Sequence, residues 1–210
     1  MKRLISRRTS LFSIFSLIIS SKFAFSKNVN LISLKDKELS VIKIGDTNAK
    51  IKIKEYFSLT CSHCADFHFK TFPIVKKNLI DQGQMQFEFV EYPLDRLAMY
   101  SSLLVRSLPK KAYLDAVEIL LKNQKKWVYT KSPMAELLKI SRFFGISKSQ
   151  FEKIIDNQNL MNKILNRMET DSKKFNIQST PTFIVNDKHK ISGTLSYIDF
   201  KRKIDDFSNS

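Results

Sequence analysis

Residues 94–176 show helical periodicity without a strand pattern, and strand-like segments lie on both sides of them. Before this stretch, residues 51–58 (IKIKEYFS) and 85–92 (MQFEFVEY) alternate or run together in apolar residues as buried strands do. After it, residues 182–186 and 189–192 flank a short turn and predict a hairpin. This order predicts an α/β domain that is split by an inserted all-helical domain. Shorter strand patterns precede these segments at 31–34 and 41–44.

Apolar residues at helical spacing predict the helices. One helix begins at Cys61, is interrupted by Pro73 and stops before Gly83, and another closes the chain over residues 195–207. Four or five helical segments fill the insertion, where Trp127 is expected in the core. The expected buried stripes of the insertion are Tyr113, Val117, Leu120 and Leu121; Leu137, Ile140, Phe143 and Phe144; and Ile164, Leu165, Met168 and Phe175.

Residues 1–26 have the three-part pattern of a secretory signal peptide. A basic start is followed by a short apolar run at 11–19 and by small residues at 24 and 26, the positions that a signal peptidase reads. Arg7-Arg8 loosely resembles a twin-arginine signal, so both export routes stay open. An uncleaved anchor and a mitochondrial-type presequence are the alternatives. A cleaved signal predicts a mature protein in the periplasm.

The charge balance is strongly basic, with 36 Lys and Arg against 20 Asp and Glu and a formal net charge of +16. Residues 1–26 hold five positive and no negative charges, so the remainder carries +11. The lysines are scattered among apolar residues, as in KKAYLDAVEILLKNQKKW, which is typical of solvated helix faces. We therefore expect no nucleic-acid binding. Contact with an anionic membrane surface is a weaker interpretation of the same charge.

The two cysteines of the chain are three residues apart in Cys61-Ser62-His63-Cys64. They follow a predicted strand and open a predicted helix, where free backbone N–H groups and the helix dipole favour an anion. A thiolate at Cys61 is therefore stabilised, and His63 can add a positive charge or a donor beside it. Cys64 lies one helical turn further in, where it can attack the Cys61 sulfur of a mixed disulfide. This arrangement predicts thiol–disulfide exchange.

Three other interpretations of the cysteine pair were weighed. A structural disulfide would close a very short loop and constrain little of the unfolded chain. A zinc site needs four ligands, whereas Cys61, Cys64 and His68 offer three and His189 is a distant fourth. Inert buried thiols are unexpected in an oxidising compartment. All three are weaker than the redox interpretation.

A second motif, Ser179-Thr180-Pro181-Thr182-Phe183, comes just before the returning strand. Residues 41–207 resemble the thioredoxin superfamily, and they resemble its DsbA-like branch closely. The resemblance rests on this motif, on the segments EYFSLTCSHCADFH and FEFVEYPLD, and on a helical insertion of matching size. The resemblance implies a thioredoxin-like domain over residues 27–93 and 177–210 and an inserted helical domain over 94–176.

The resemblance implies roles for the cysteine segment. Cys61 corresponds to the nucleophilic cysteine, and Cys64 to the resolving cysteine that pairs with it in a redox-active disulfide. His63 corresponds to the histidine that stabilises the thiolate. The family usually has Pro-His between its cysteines, whereas this chain has Ser62-His63, and this departure leaves the redox potential open.

The resemblance also implies roles for three residues outside that segment. Pro181 corresponds to a cis-proline that faces the cysteines, and Thr180 would offer backbone groups to an extended substrate. Glu55, six residues before Cys61, corresponds to a buried acid used in proton handling. The alternative for Glu55 is a strand glutamate on an outer face of the sheet.

The implied function is that of an exported thiol:disulfide oxidoreductase that donates the Cys61–Cys64 disulfide to unfolded exported proteins with free thiols. A membrane quinone-linked protein would reoxidise it. We expect a monomer that needs no cofactor and no metal. A reductase or disulfide isomerase of the same fold remains an alternative, as does a metal-binding module that uses Cys61, Cys64 and His68.

Overall fold

The computed structural model describes residues 39–208. The predicted signal peptide at 1–26 and the predicted strand at 31–34 lie outside the described residues. The strands are β1 (Ile42–Gly45), β2 (Ile51–Phe57), β3 (Met85–Glu91), β4 (Thr182–Val185) and β5 (His189–Ser192). The helices are α1 (Ser62–Asp66), α2 (Phe72–Val75), α3 (Arg96–Arg106), α4 (Lys110–Lys122), α5 (Gln124–Trp127), α6 (Pro133–Phe143), α7 (Lys148–Ile155), α8 (Gln158–Phe175) and α9 (Tyr197–Ser208).

The five strands form one mixed sheet in the order β1-β3-β2-β4-β5. β2 and β3 pair in parallel at its centre, and the other neighbouring strands are antiparallel. Every residue of β3 is buried, as expected for a central strand that is covered on both faces. The parallel pair places the carboxyl ends of β2 and β3 at the same edge of the sheet, which is the edge that carries the cysteines.

The helical region after β2 is continuous but irregular. A π-helical turn, Phe67–Thr71, separates α1 from α2, and a second, Lys76–Ile80, follows α2. Pro73 lies at the start of α2, directly after the first π-helical turn. Such wide turns accommodate a lost backbone hydrogen bond, and they often occur near functional residues.

Aromatic side chains form the core between this helical region and the sheet. The ring of Phe67 lies 4.5 Å from that of Phe183 and 5.6 Å from that of Phe200, measured between ring centroids. Phe87 packs beside it at 6.4 Å. These contacts join the helix that carries the cysteines to β3, β4 and α9, so the position of α1 is fixed by a packed core.

Helices α3 to α8 occupy the whole segment between β3 and β4. This arrangement confirms the predicted fold class, a thioredoxin fold with an inserted all-helical domain. The described segment has six helices where four or five were expected, because Asn123 separates the single-turn α5 from α4. Trp127 is fully buried, and its Nε1–H donates to the Leu120 carbonyl at 2.7 Å. Among the described residues, no helix is long and apolar enough to cross a membrane.

Two residues of the predicted buried stripes are exposed instead. Phe143 is 77% exposed and Leu165 is 45% exposed. In α6 the buried face runs through Leu137 and Ser141, which are four residues apart. Phe143 lies two residues beyond Ser141, on the opposite side of the helix, because successive residues turn by about 100°. The prediction that Phe143 and Leu165 belong to the core is therefore wrong.

A buried polar cluster joins the insertion to the sheet. Glu91, the last residue of β3, accepts hydrogen bonds from Arg106 Nε at 2.6 Å, from Arg106 Nη2 and from the Tyr113 hydroxyl. Arg106 Nη1 also donates to the Ser40 carbonyl. All three side chains of the cluster are at most 5% exposed. The carboxyl end of β3 is thus tied to α3 by an ion pair and to α4 by a hydrogen bond.

Candidate active site

The cysteine pair lies at the junction between β2 and α1. The backbone N–H of Cys61 donates to the Ser58 carbonyl at 3.1 Å and closes the turn that follows β2. Cys61 is the N-cap of α1, with φ −79° and ψ 119°, and its Sγ accepts the backbone N–H of Cys64 at 3.4 Å. The structure therefore places Cys61 at the helix N-terminus, where a negative charge is favoured.

The half-buried Cys61 thiol contacts the loop before β4. Its Sγ–H donates to the Thr180 carbonyl at 3.3 Å. Thr180 and Pro181 are joined by a cis peptide bond, and both are buried. The Pro181 carbonyl accepts the Gly193 N–H at 2.8 Å, which ties this loop to the end of β5. The structure thus brings together Cys61, Thr180 and Pro181, although 119 residues separate Cys61 from Thr180.

The surroundings of Cys61 lower its pKa from 9.0 to about 5. The largest cause is a hydrogen bond from the Cys64 side chain, followed by partial burial, which opposes the shift. The Thr180 side chain and the backbone N–H groups of Cys64 and His63 add to the lowering, because each can donate to a thiolate. Cys61 is therefore ionised at neutral pH while remaining accessible to another thiol.

Cys64 has the opposite character. It is fully buried, and its pKa is raised well above 9.0. Burial is the main cause, and the hydrogen bond to Cys61 and the nearby charges of Cys61 and Glu55 add to it. Both cysteines are free thiols in this structure. The pair thus consists of an accessible thiolate and an inaccessible protonated thiol.

His63 lies on the exposed side of α1. Its carbonyl accepts the Thr194 hydroxyl at 2.6 Å, and its backbone N–H contributes to the lowered pKa of Cys61. Within residues 39–208, the structure shows no hydrogen bond to the His63 imidazole. The contribution that the structure shows therefore comes from its backbone, and the predicted role of its imidazole stays a prediction.

The Thr180 hydroxyl is buried and has no hydrogen-bond partner. Among the described residues, every other buried side-chain oxygen or nitrogen has one. The orphaned oxygen belongs to the residue whose carbonyl accepts from the Cys61 thiol. Once Cys61 loses its proton, the thiolate can accept from this hydroxyl. This explains why the Thr180 side chain lowers the pKa of Cys61.

Glu55 is fully buried in β2, so the alternative of an outer-face glutamate is wrong. Both of its carboxylate oxygens lie within hydrogen-bond distance of His68 Nε2, at 3.1 and 3.0 Å. His68 is only 9% exposed and packs against the rings of Phe57 and Phe72, with centroids 5.8 and 5.2 Å away. A buried carboxylate and a buried imidazole thus face each other beneath the cysteines.

Sequence reasoning placed His68 among candidate zinc ligands and missed its contact with Glu55. The helical spacing of Phe67, His68 and Phe72 indicates a buried face, which was the available signal. Between residues 39 and 208, no group of three His, Cys, Asp or Glu side chains is placed to hold a metal ion.

A groove of about 620 Å³ lies between the helical region after α1 and the start of α9. Its lining includes Lys70, Ile74, Thr194, Tyr197 and Ile198. Ile74 is 41% exposed and Ile198 is 75% exposed. Thr194 lines the groove and also donates to the His63 carbonyl, which joins the groove to α1.

The sequence profile of the thioredoxin family matches residues 37–206. Among curated proteins, a provisionally named protein-disulfide oxidoreductase of Rickettsia typhi is 26% identical over 144 residues, which cover 68% of this chain and 53% of the relative. The chain thus spans about half the length of such rickettsial relatives. Disulfide bond formation protein D of Bacillus subtilis is 28% identical over 173 residues, covering 77% of this chain and 74% of that protein.

The fold is also similar to that of solved proteins. The crystal structure of Wolbachia pipientis alpha-DsbA1 superposes with a TM-score of 0.71 at 28% identity, and the match covers 80% of this chain and 90% of that one. Chlamydia trachomatis DsbA, at 20% identity, superposes with a TM-score of 0.66 and shares the fold. From the extent of the profile match, the chain belongs to the thioredoxin family and resembles its DsbA members.

Proposed function

We propose that this chain is an exported thiol:disulfide oxidoreductase that donates a Cys61–Cys64 disulfide to newly exported proteins. The observation that carries the proposal is the contrast between the two thiols. Cys61 is half-buried with a pKa of about 5, whereas Cys64 is fully buried with a pKa well above 9.0. An accessible low-pKa sulfur is the one that a substrate thiol exchanges with.

The first exchange forms a mixed disulfide. A substrate thiolate attacks the Cys61 sulfur, the bond between Cys61 and Cys64 breaks, and Cys64 leaves as a thiolate. Because its environment raises its pKa, Cys64 takes up a proton at once. A second substrate thiolate then attacks the substrate sulfur, and Cys61 leaves as a thiolate that is stable at neutral pH. The substrate loses two electrons and two protons; the pair gains two electrons and one proton, and the other proton goes to solvent.

Stabilising the reduced form makes the disulfide form a stronger oxidant. The N-cap position and the donors around Cys61 stabilise the thiolate in the reduced form only. A donor of disulfides is therefore favoured over a reductase of the same fold. Its redox potential with Ser62 between the cysteines is expected on the oxidising side of the thioredoxin scale, which runs from about −270 mV to about −120 mV.

Glu55 and His68 are proposed to handle the Cys64 proton. Glu55 lies near enough to Cys64 for its charge to raise the pKa of that thiol, and it is paired with His68. On reoxidation, Cys64 must lose its proton before it can attack the Cys61 sulfur. In this proposal Glu55 accepts that proton from Cys64, and His68 then passes the proton toward the surface.

The substrate is proposed to lie along the Thr180–Pro181 segment, with its flanking residues in the groove lined by Ile74 and Ile198. Backbone groups before β4 would pair with an extended segment of an unfolded protein, and the exposed Ile74 and Ile198 would contact its apolar side chains. The periplasmic location, the monomeric state and reoxidation by a membrane quinone-linked protein are parts of the same proposal.

A trapping experiment tests the exchange. The Cys64→Ser variant keeps Cys61 but cannot resolve a mixed disulfide, so after reaction with an activated disulfide peptide it should hold the peptide covalently. The matched Cys61→Ser variant should hold none, because its remaining thiol is buried. The oxidised wild-type chain should oxidise a reduced model protein. Failure of that oxidation, together with rescue of a scrambled protein, would instead favour an isomerase.

A further inference from the structure

A buried glutamine of the insertion contacts the backbone on both sides of Thr60. Gln124 Nε2 donates to the Leu59 carbonyl at 2.8 Å and to the Cys61 carbonyl at 2.9 Å. The two amide protons of a glutamine suffice for two acceptors. Gln124 is only 5% exposed and Leu59 only 1%, so water does not replace these bonds readily. One side chain from a distant helix therefore holds the loop that presents the nucleophile.

The helix that carries Gln124 is itself firmly anchored. The fully buried Trp127 at the other end of α5 donates from Nε1 to the Leu120 carbonyl at 2.7 Å. Asn123 Nδ2 donates to the Ile119 carbonyl at 2.8 Å, and the Val128 N–H donates to the Gln124 carbonyl at 2.8 Å. Asn123 and Val128, the residues before and after α5, are thus held by hydrogen bonds to α4 and α5. The backbone of Gln124 is therefore fixed in position.

The Cys61 carbonyl belongs to the residue that carries the nucleophilic sulfur, so a hydrogen bond that holds this carbonyl also restrains the Sγ atom. The carbonyl also accepts the Ala65 N–H at 3.2 Å, the first backbone bond of α1. Gln124 therefore fixes the orientation of the Cys61 peptide relative to the helix that follows. That orientation sets the 3.4 Å contact between Cys61 Sγ and the Cys64 N–H.

We propose that Gln124 is a positioning residue, through which the inserted helices set the reactivity of the Cys61 sulfur. The inference gives the insertion a part in the proposed disulfide exchange, and it rests on that function for its biological meaning. Its physical content concerns the ionisation of one thiol and is measured on the chain alone.

The test replaces the amide with a hydrocarbon of similar size. Gln124→Met removes both donors. The matched control is Gln86→Met, which removes another buried glutamine, 7% exposed, whose Nε2 donates to the Asp46 carbonyl at 3.4 Å at the amino end of β3, away from the cysteines. Thiolate absorbance of the reduced chain is titrated against pH, and the pH profile of Cys61 alkylation gives the same midpoint independently. In Gln124→Met we expect the Cys61 titration to move upward by about one pH unit. Gln86→Met should titrate like the wild type even when its melting temperature falls as far.

Equal titration curves for Gln124→Met and the wild type would overturn the proposal, as would an equal upward shift in Gln86→Met. If Gln124→Met does not fold, Gln124→Asn keeps a neutral amide that is one methylene shorter and cannot reach both carbonyls. Its Cys61 titration should also move upward, and a titration equal to that of the wild type would contradict the inference. If the wild-type chain fails to oxidise substrates but Gln124→Met still shows the shift, the proposed function is contradicted and the inference about Gln124 is supported.

Discussion

At the scale of single residues, two chemically identical thiols differ because one caps a helix and the other lies inside it. Cys61 Sγ accepts a hydrogen bond from the Cys64 side chain, and the Thr180 hydroxyl and nearby backbone N–H groups also stabilise a negative charge there. Cys64, three residues on, is fully buried and loses that stabilisation. The difference comes from position alone, since neither thiol forms an ion pair with a described basic side chain.

Glu55→Gln should slow the step of reoxidation in which Cys64 displaces the thiol of the bound oxidant. The variant removes the proposed proton acceptor, and positioned acids and bases contribute about 100-fold or more to such transfers. We expect reoxidation of the reduced chain by an excess of an oxidant peptide to slow by about tenfold or more. Alkylation of Cys61 should change much less. Stopped-flow kinetics of the two reactions provide the measurement.

The control for that variant is Glu88→Gln. Glu88 is a buried strand carboxylate too, but it pairs with Lys43 at 3.3 Å and with Arg167 at 2.5 Å and is not among the main causes of the raised pKa of Cys64. It should reoxidise at the wild-type rate even where its stability falls. Equal rates for Glu55→Gln and the wild type would remove Glu55 from the mechanism.

At the scale of secondary-structure elements, the insertion is attached to the sheet by contacts on either side of residues 58–61, the loop between β2 and α1 that ends at Cys61. The buried Glu91, Arg106 and Tyr113 cluster ties α3 and α4 to the end of β3. Asp95, the N-cap of α3, accepts the Thr60 hydroxyl at 2.7 Å, next to Cys61. The edge of the sheet and the helices therefore hold the loop between them.

Arg106→Met should destabilise the fold by about 3 kcal/mol, because it leaves the buried Glu91 charge without its partner. Adding Glu91→Leu to that variant should recover part of the loss. Lys139→Met, which breaks an exposed pair with Glu136, should cost less than about 1 kcal/mol. Urea unfolding of the wild type, these three variants and Glu91→Leu alone measures these differences. A double variant as unstable as the sum of its single variants would show that the pair is not coupled.

Local patterns were sufficient for the elements but not for the contacts between them. The all-buried β3 and the strand–helix junction at Cys61 were predictable, because a buried strand and a helix start leave short-range signals. The contact between Glu55 and His68, and that between Gln124 and Cys61, depend on how distant elements pack. A single turn such as α5 is also too short to give a helical period, so Gln124 looked like one more polar residue in a lysine-rich segment.

At the scale of the whole molecule, the charge state of one sulfur affects the stability of the reduced fold. The folded pKa of Cys61 is lowered from 9.0 to about 5, so between those values the unfolded chain holds a proton that the folded chain has lost. The free energy of unfolding therefore rises with pH in that window. The stabilisation that Cys61 contributes is lost as the pH falls through about 5. The oxidised chain has no Cys61 thiol to titrate and lacks this dependence.

We therefore expect the reduced chain to gain stability over the oxidised chain as the pH is raised from about 5 to about 8. The slope is at most about 1.4 kcal/mol per pH unit, and partial exposure of Cys61 makes it smaller. Guanidinium unfolding of both redox forms across this range provides the measurement, with reduced Cys61→Ser as a control that should show no such slope. Parallel pH profiles for the two redox forms would contradict the expectation.

The most direct measurement is a titration of the Cys61 thiolate by its ultraviolet absorbance in the reduced chain, with Cys61→Ser as the blank. We expect a midpoint near pH 5, with Cys64 still protonated at neutral pH. A midpoint near the ordinary value of 9.0 would show that the Cys64 side chain, the Thr180 hydroxyl and the backbone N–H groups do not stabilise the thiolate, and disulfide donation through Cys61 would lose its physical basis.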